Sequence, residues 1–353
     1  MSKFWSPMAK RATTYVPGEQ LNKPNILKLN TNENPYGPSP KVLAAIQKAN
    51  DDDLRLYPSP TVEHLKEVIA NRHGVKANNV FVGNGSDDVL AMAFMAFFDS
   101  ENTIRFPEIT YSFYPVYANL FNIPNEQISL NEDFTIQPED FYNSDGGVIF
   151  ANPNAPTSLY LPIEAVESIV KNNPDSVVIV DEAYIDFAST SAVSLIEKYD
   201  NLLVIQTMSK SYSLAGLRVG LAIGNEELIE GLIRIKDSFN PYPIDRLAIA
   251  GATASFEDEN YFQDVTSKII KTREWTTKSL KEIGFHVLPS ATNFLFISHT
   301  EASAKDIYEQ LREKDILIRY FDAEKIDNHL RISIGTQEEM EKFVEEMVLI
   351  LNN

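Results

Sequence analysis

Short runs of β-branched and aromatic residues punctuate the chain from about residue 79, and longer stretches with helical periodicity separate them. The strands this pattern predicts are Asn79–Val82, Thr103–Phe106, Gly147–Phe150, Ser176–Val180, Leu202–Gln206 and Val219–Ile223. Apolar runs with helical segments between them are the mark of a mainly parallel sheet covered on both faces. Residues 31–245 therefore read as one large α/β domain. Beyond it the pattern changes. A long helical stretch, Arg246–Ile283, precedes short strands at His286–Leu288, Asn293–Ile297, Ile316–Arg319 and Leu330–Ile334. In the last helix Met340, Phe343, Val344, Met347, Ile350 and Leu351 recur at three- and four-residue steps, an amphipathic stripe whose other face is mostly glutamate. Residues 246–353 read as a smaller α+β domain, and residues 1–30, rich in proline and asparagine, as an extended arm.

Composition narrows the class. A chain of 353 residues with 44% hydrophobic content suits a globular protein of one large and one smaller domain, or two comparable ones. There is no cysteine, which excludes disulfides, thiolate nucleophiles and thiolate metal sites and fits a reducing compartment. The amino-terminal MSKFWSPMAK lacks the apolar core of a signal peptide, and the longest apolar run, Val89–Phe98, falls far short of the roughly 20 residues a membrane span needs. A cytoplasmic protein with no membrane partner is expected. A net charge of −19 argues against nucleic acid as a partner, because a polyanion calls for a basic surface. The five histidines show no metal-ligand spacing, so no metal is expected.

In open α/β sheets ligands sit outside the carboxyl ends of the strands. Polar or glycine residues stand at such ends in GNGSDD (Gly83–Asp88), NPNAPTS (Asn152–Ser158), DEAY (Asp181–Tyr184) and the Ser209–Lys210 pair. The backbone of GNGSDD and the helix after it can hold a phosphate around Ser86 and Asp87. A plain strand-to-helix turn, with Asp87 and Asp88 favouring the helix dipole, reads equally well. The segment is not a dinucleotide fingerprint, since Asp88 stands where the third glycine would be. Asp181 follows four apolar residues; if buried it needs a cationic partner, which a protonated ring nitrogen supplies as well as an arginine, and the alternative is a capping aspartate. Lys210, at a strand end, is a candidate for a Schiff base with an aldehyde. Ser209 and Arg218 add a hydroxyl and a guanidinium suited to phosphate. In this chain order these are the parts that pyridoxal 5'-phosphate needs.

At these residues a resemblance becomes plain. The run SKSYSLAGLRVG, from Ser209 to Gly220, is similar to the cofactor-lysine motif of the fold-type I aminotransferases, and DEAY and NPNAPTS are similar to two further signatures of that superfamily. More narrowly, the chain from about residue 15 onward resembles the histidinol-phosphate aminotransferase family. YVPGEQ (Tyr15–Gln20), NENPYGPSP (Asn32–Pro40), LYPSP (Leu56–Pro60), GNGSDD, TYSFY (Thr110–Tyr114) and LRISIGT (Leu330–Thr336) match its pattern in order.

The resemblance implies a large α/β domain with a mainly parallel sheet between helices, a small α+β domain, and pyridoxal phosphate as cofactor. The implied reaction is transamination between L-histidinol phosphate and 2-oxoglutarate, with glutamate as the other amino carrier, in histidine biosynthesis. By the same resemblance Lys210 holds the cofactor covalently and moves a proton, Asp181 keeps the pyridine nitrogen protonated, and Tyr184 donates to the ring's phenolic oxygen. Tyr111 stacks on the ring. Ser86, Asp87, Ser209 and Arg218 grip the phosphate, with Tyr57 reaching over from a second subunit, which implies a homodimer with shared active sites. Arg331 takes the substrate carboxylate or, with Arg319 and Tyr15, the substrate phosphate. The usual NPNNPTG reads NPNAPTS here, with Ala155 and Ser158 as departures, so the asparagine's donation to the phenolic oxygen passes to Asn154.

Other readings stand beside these. Tyr15 can pack on the surface, Arg319 can belong to a structural ion pair, and Glu33 reads as a turn residue. An aromatic amino acid aminotransferase or a threonine-phosphate decarboxylase shares the cofactor residues. A non-catalytic, cofactor-binding regulator of the same fold usually carries a fused DNA-binding segment, for which this acidic chain has no basic stretch.

Overall fold

The computed structural model describes residues 2–15, 18–20, 23 and 25–352, so Val16 and Pro17 of the YVPGEQ segment lie outside the described residues. After β1 (Leu27–Lys28) come the strands of the large sheet: β2 (Val80–Gly83), β3 (Ile104–Pro107), β4 (Asn125–Ile128), β5 (Val148–Ala151), β6 (Val178–Asp181), β7 (Leu202–Thr207) and β8 (Gly220–Gly224). Their order across the seven-stranded sheet is β2-β8-β7-β6-β5-β3-β4. Successive residues point to opposite faces. Val178 and Val180 join the core on one side with Val204 and Ile223, while Ile179 joins the other with Ile205 and Ala222. Each such valine or isoleucine removed from water contributes about 1.5–3 kcal/mol, which is why strands buried on both faces read as unbroken apolar runs.

One strand reverses direction, and that reversal shapes the site. β8 pairs antiparallel with both β2 and β7, with Gly220 opposite Gly83 and Thr207. The chain leaving the carboxyl end of β7 therefore returns along the same edge before entering β8, which keeps Lys210 and Arg218 beside the carboxyl end of β2. The approach is close: a Cβ on Gly220 would lie 2.3 Å from the backbone nitrogen of Ser86, so only glycine fits there.

The smaller sheet is antiparallel, in the order β12-β13-β10-β9, from β9 (His286–Val287), β10 (Phe294–Ser298), β12 (Arg319–Tyr320) and β13 (Leu330–Ser333), while β11 (Ile316–Leu317) pairs with β1 in parallel. The expected strand Ile316–Arg319 is thus divided between two sheets. The final helix, Gln337–Leu351, opens with a capping box between Thr336 and Glu339 and buries Met340, Phe343, Met347 and Ile350, the face its stripe predicts.

The long helical stretch differs from expectation. It breaks at Glu257–Asp258 into Arg246–Phe256 and Glu259–Glu282, where the Asp258 carboxylate takes a hydrogen bond from Lys41 Nζ at 2.8 Å and another from Ser39 Oγ. The first piece packs Ala248, Ala252 and Phe256 into the core of the large sheet. The second contributes Val265 and Ile269 to the small-domain core, which also takes in Leu27 and Leu29 from the arm. Among the described residues no helix is long and apolar enough to cross a membrane.

Candidate active site

A cavity of about 680 Å³ lies between the carboxyl edge of the large sheet and the small antiparallel sheet. Tyr15, Ser86, Asp87, Tyr111, Asp181, Tyr184, Ser209, Lys210, Arg218, Arg319 and Arg331 line it, so eleven of the thirteen expected site residues come together.

At its large-sheet end the groups are held by hydrogen bonds to their neighbours. Helix Gly85–Phe97 begins there with no side chain capping its first turn, leaving the N–H groups of Ser86 and Asp87 free to meet an anion. The Arg218 guanidinium donates to Asp87 Oδ2 at 3.2 Å and to Ser209 Oγ at 3.4 Å, and Tyr111 Oη donates to Asp87 Oδ1 at 2.7 Å. Asp181, at the end of β6, is 4% exposed and accepts from Tyr114 Oη at 2.9 Å and from the Ala183 N–H at 3.2 Å. No cation pairs with it among the described residues, and burial pushes its carboxyl up to about 6. Lys210 is half-buried, its Nζ 3.4 Å from the Thr31 carbonyl and 5.8 Å from the centre of the Tyr184 ring.

At the small-domain end the cations stand without counter-charge. Arg331 on β13 faces Arg319 on β12 across an antiparallel pair. Arg331 donates from Nη2 to the Asn30 carbonyl at 2.9 Å, while its buried Nε has no partner. Its guanidinium lies 5.4 Å from the Phe294 ring and 5.7 Å from that of Phe321, and burial holds its pKa below the usual arginine range. Arg319 stands over Phe321 at 5.7 Å, and neither arginine has a carboxylate partner among the described residues. The ion-pair alternative for Arg319 therefore fails. Tyr15 lines the cavity, stacked on Phe113 at 4.3 Å, which sets aside its reading as surface packing.

The structure does not bring the other two expected residues to the cavity. Asn154 is turned away: its amide nitrogen donates to the Ile109 carbonyl and to Thr157 Oγ1, both at 2.9 Å, and its oxygen accepts from Thr110 at 2.9 Å. Its amide protons are used on Thr157 of the same loop and on the Ile109 carbonyl after β3, and Ala155 and Pro156 line the cavity instead. Tyr57 is 80% exposed and stacks on Tyr242 at 4.8 Å, outside its own chain's cavity. Two residues were missed by sequence reasoning. Tyr114, three positions after Tyr111, holds Asp181, and Asn32 in NENPYG donates to Tyr184 Oη at 2.9 Å. The spacing of Tyr111 and Tyr114 at the start of helix Phe113–Phe121 was the available signal for the first.

This donor set fits pyridoxal phosphate. A helix amino terminus, a hydroxyl and a guanidinium meet a phosphate; a buried carboxylate without a cation meets a protonated ring nitrogen; an amine stands beside them for an aldehyde. Comparison with known proteins agrees. A protein of Oceanobacillus iheyensis named histidinol-phosphate aminotransferase 1 is 57% identical over 98% of each chain. One of the same name from Pseudomonas aeruginosa is 54% identical over 98% of this chain and 99% of its own. The crystal structure of histidinol-phosphate aminotransferase from Sinorhizobium meliloti, in complex with pyridoxal-5'-phosphate, shares the fold with a TM-score of 0.90, covering 100% of this chain and 98% of its own at 24% identity. With the family model for aminotransferase class I and II matching residues 24–347, the chain belongs to that family, and within it to the histidinol-phosphate aminotransferases.

Proposed function

We propose that this protein transfers an amino group between L-histidinol phosphate and 2-oxoglutarate with pyridoxal phosphate as cofactor. The observation that carries the reading is the joining, in one cavity, of Lys210 and Asp181 with the unpaired cations Arg319 and Arg331. When bound, the cofactor supplies an electron sink conjugated to the substrate's amine. Ser86, Asp87, Ser209 and Arg218 would hold its phosphate, and Asp181, kept in place by Tyr114, would keep a proton on its ring nitrogen. Tyr184 would donate to its phenolic oxygen and Tyr111 would cover its ring. Lys210 Nζ would anchor it and, once the substrate's amine has displaced it, would stand free to take the proton from the substrate Cα and give it back. Arg331, with Arg319 and Tyr15, takes the phosphate of histidinol phosphate in one half-reaction and a carboxylate of glutamate or 2-oxoglutarate in the other. Both anions accept the two-point fork of a guanidinium.

The same reading includes a cytoplasmic homodimer. Tyr57, 80% exposed, lies close in sequence to Leu54 and Leu56, and Tyr242 and Phe239 are likewise exposed. That apolar surface suits burial by a second copy, into whose cavity Tyr57 reaches. The reading divides the chain into an arm (1–30), a large cofactor-binding domain (31–245) and a small domain (246–353), and the packing of Ala248, Ala252 and Phe256 supports moving the second boundary past residue 256.

Steady-state rates with histidinol phosphate, phenylalanine and threonine phosphate test the assignment. Histidinol phosphate is expected to lead in kcat/KM by about 100-fold or more. A lead for either of the others would overturn it.

A further inference from the structure

The residue facing the cavity where the family motif has the asparagine directly before Pro-Thr is Ala155, and Asn154 spends its amide protons on Thr157 in its own loop and on the Ile109 carbonyl after β3. The phenolic oxygen of the cofactor is therefore left with Tyr184, and a lone tyrosine hydroxyl can rotate its proton among several directions. What fixes it here is the amide of Asn32, which lines the same cavity.

Asn32 is 1% exposed, at the junction of the arm and the small sheet. Its backbone is left-handed, with φ +55°, a conformation asparagine tolerates better than most residues. Its main-chain N–H donates to Ser333 Oγ at 2.8 Å, which uses that hydroxyl as an acceptor and sends the Ser333 proton to Asn32 Oδ1 at 3.0 Å. The Asn32 carbonyl accepts from Asn293 Nδ2 at 3.0 Å. With Oδ1 committed to Ser333, the remaining edge of the amide is Nδ2, and it donates to Tyr184 Oη at 2.9 Å. The amide orientation thus follows from the bonds around it. A phenol oxygen that receives a proton from one side must send its own elsewhere. Tyr184 is 8% exposed and lines the cavity, with its ring edge-on to Phe294 at 5.0 Å, so the open direction is the cavity itself.

We infer that Asn32 is a positioning residue that aims the Tyr184 hydroxyl proton into the cavity, so that Tyr184 serves the cofactor's phenolic oxygen without the asparagine that Ala155 replaces. The inference rests on the cofactor reading above. It ties the small sheet to the chemistry, because Ser333 on β13 and Asn293 just before β10 hold the amide that holds the tyrosine.

A donor to the phenolic oxygen stabilises its negative charge and so weakens its hold on the proton of the neighbouring lysine linkage. Losing part of that donation makes the linkage keep its proton to higher pH. The test is the pH midpoint of the visible absorbance of the lysine-bound cofactor in the purified holoenzyme. Asn32→Ala is expected to raise it by roughly half to one pH unit, the equivalent of one net hydrogen bond. Asn32→Asp, which keeps the side-chain shape but offers no N–H, is expected to raise it too. Ala155→Asn placed on Asn32→Ala is expected to return it toward wild type. Tyr184→Phe is expected to raise it further, and adding Asn32→Ala to Tyr184→Phe to change nothing more. A purely structural role for Asn32 would lower thermal stability in both backgrounds without this dependence on Tyr184. An unmoved midpoint in both Asn32 variants, or an equal shift with and without the Tyr184 hydroxyl, would overturn the inference. Absence of any visible band from the wild-type protein with cofactor would instead overturn the cofactor reading beneath it.

Discussion

The two ends of the cavity are built on opposite electrostatic plans. At the large sheet, polar groups are hydrogen-bonded to one another within the protein: Arg218 to Asp87, Tyr111 to Asp87, and Tyr114 to Asp181. At the small sheet, Arg319 and Arg331 face aromatic rings and backbone, with a buried Nε of Arg331 unmet. A site that keeps its groups partnered is pre-organised for one resident ligand. A site that holds cations without counter-charge is costly to keep and awaits anions that come and go. That division matches a cofactor end and a substrate end, and separate substitutions should take it apart.

The largest effect belongs to Lys210. Lys210→Ala is expected to abolish the covalent linkage, seen as loss of the visible absorbance, and to lower kcat by about 10⁴-fold or more. Binding of histidinol phosphate to the arginine end should persist. Arg331→Ala is the converse: roughly 100- to 1000-fold lower kcat/KM for histidinol phosphate, as expected when one partner of a desolvated charge pair is removed, with the linkage absorbance unchanged. Arg319, the neighbouring cation whose side chain makes no hydrogen bond to the backbone among the described residues, should matter less: Arg319→Ala is expected to cost on the order of 10-fold in the same ratio. If either arginine variant loses cofactor rather than substrate affinity, the two ends are not separate.

A further effect is thermodynamic and read on stability, not on turnover. In the cofactor-free protein, burial raises the carboxyls of Asp181 to about 6 and Glu182 to about 7. The folded state then holds these protons to higher pH than the unfolded chain. Their contribution is fully present below about pH 4 and is lost as pH rises through 6 and 7. Asp181→Asn should flatten the first part of that loss, on the order of 3 kcal/mol, measured by urea unfolding between pH 4 and 8. Cofactor binding should flatten it as well, since a protonated ring nitrogen gives Asp181 the partner it lacks. An unchanged slope in the variant would show that Asp181 is not the group responsible.

Much of this contrast was legible in the sequence, for identifiable reasons. The central strands β5, β6 and β7 are buried on both faces, so their apolar runs announced them to within a residue or two, and with them the strand ends carrying Asp181 and Lys210. Strand β4, Asn-Glu-Gln-Ile, was not visible because it is a polar, largely exposed edge, set by its pairing with β3 alone. β1 is a two-residue strand that exists only by pairing with β11. The direction of β8, which brings Arg218 to the site, is a property of its neighbours and not of its own residues. Motif reading put Asn154 in the role of a missing asparagine because a sequence does not say which way an amide points. Tyr114 and Asn32 escaped because their bonds reach across 67 and 152 positions of the chain.

The measurement that tests the account most directly is the ratio of kcat/KM for histidinol phosphate to that for histidinol, which lacks the phosphate, in the wild-type protein and in Arg331→Ala. The account predicts a wild-type ratio of about 100 or more that falls most of the way to one in the variant. A wild-type ratio near one, or a large ratio untouched by the loss of Arg331, would contradict it.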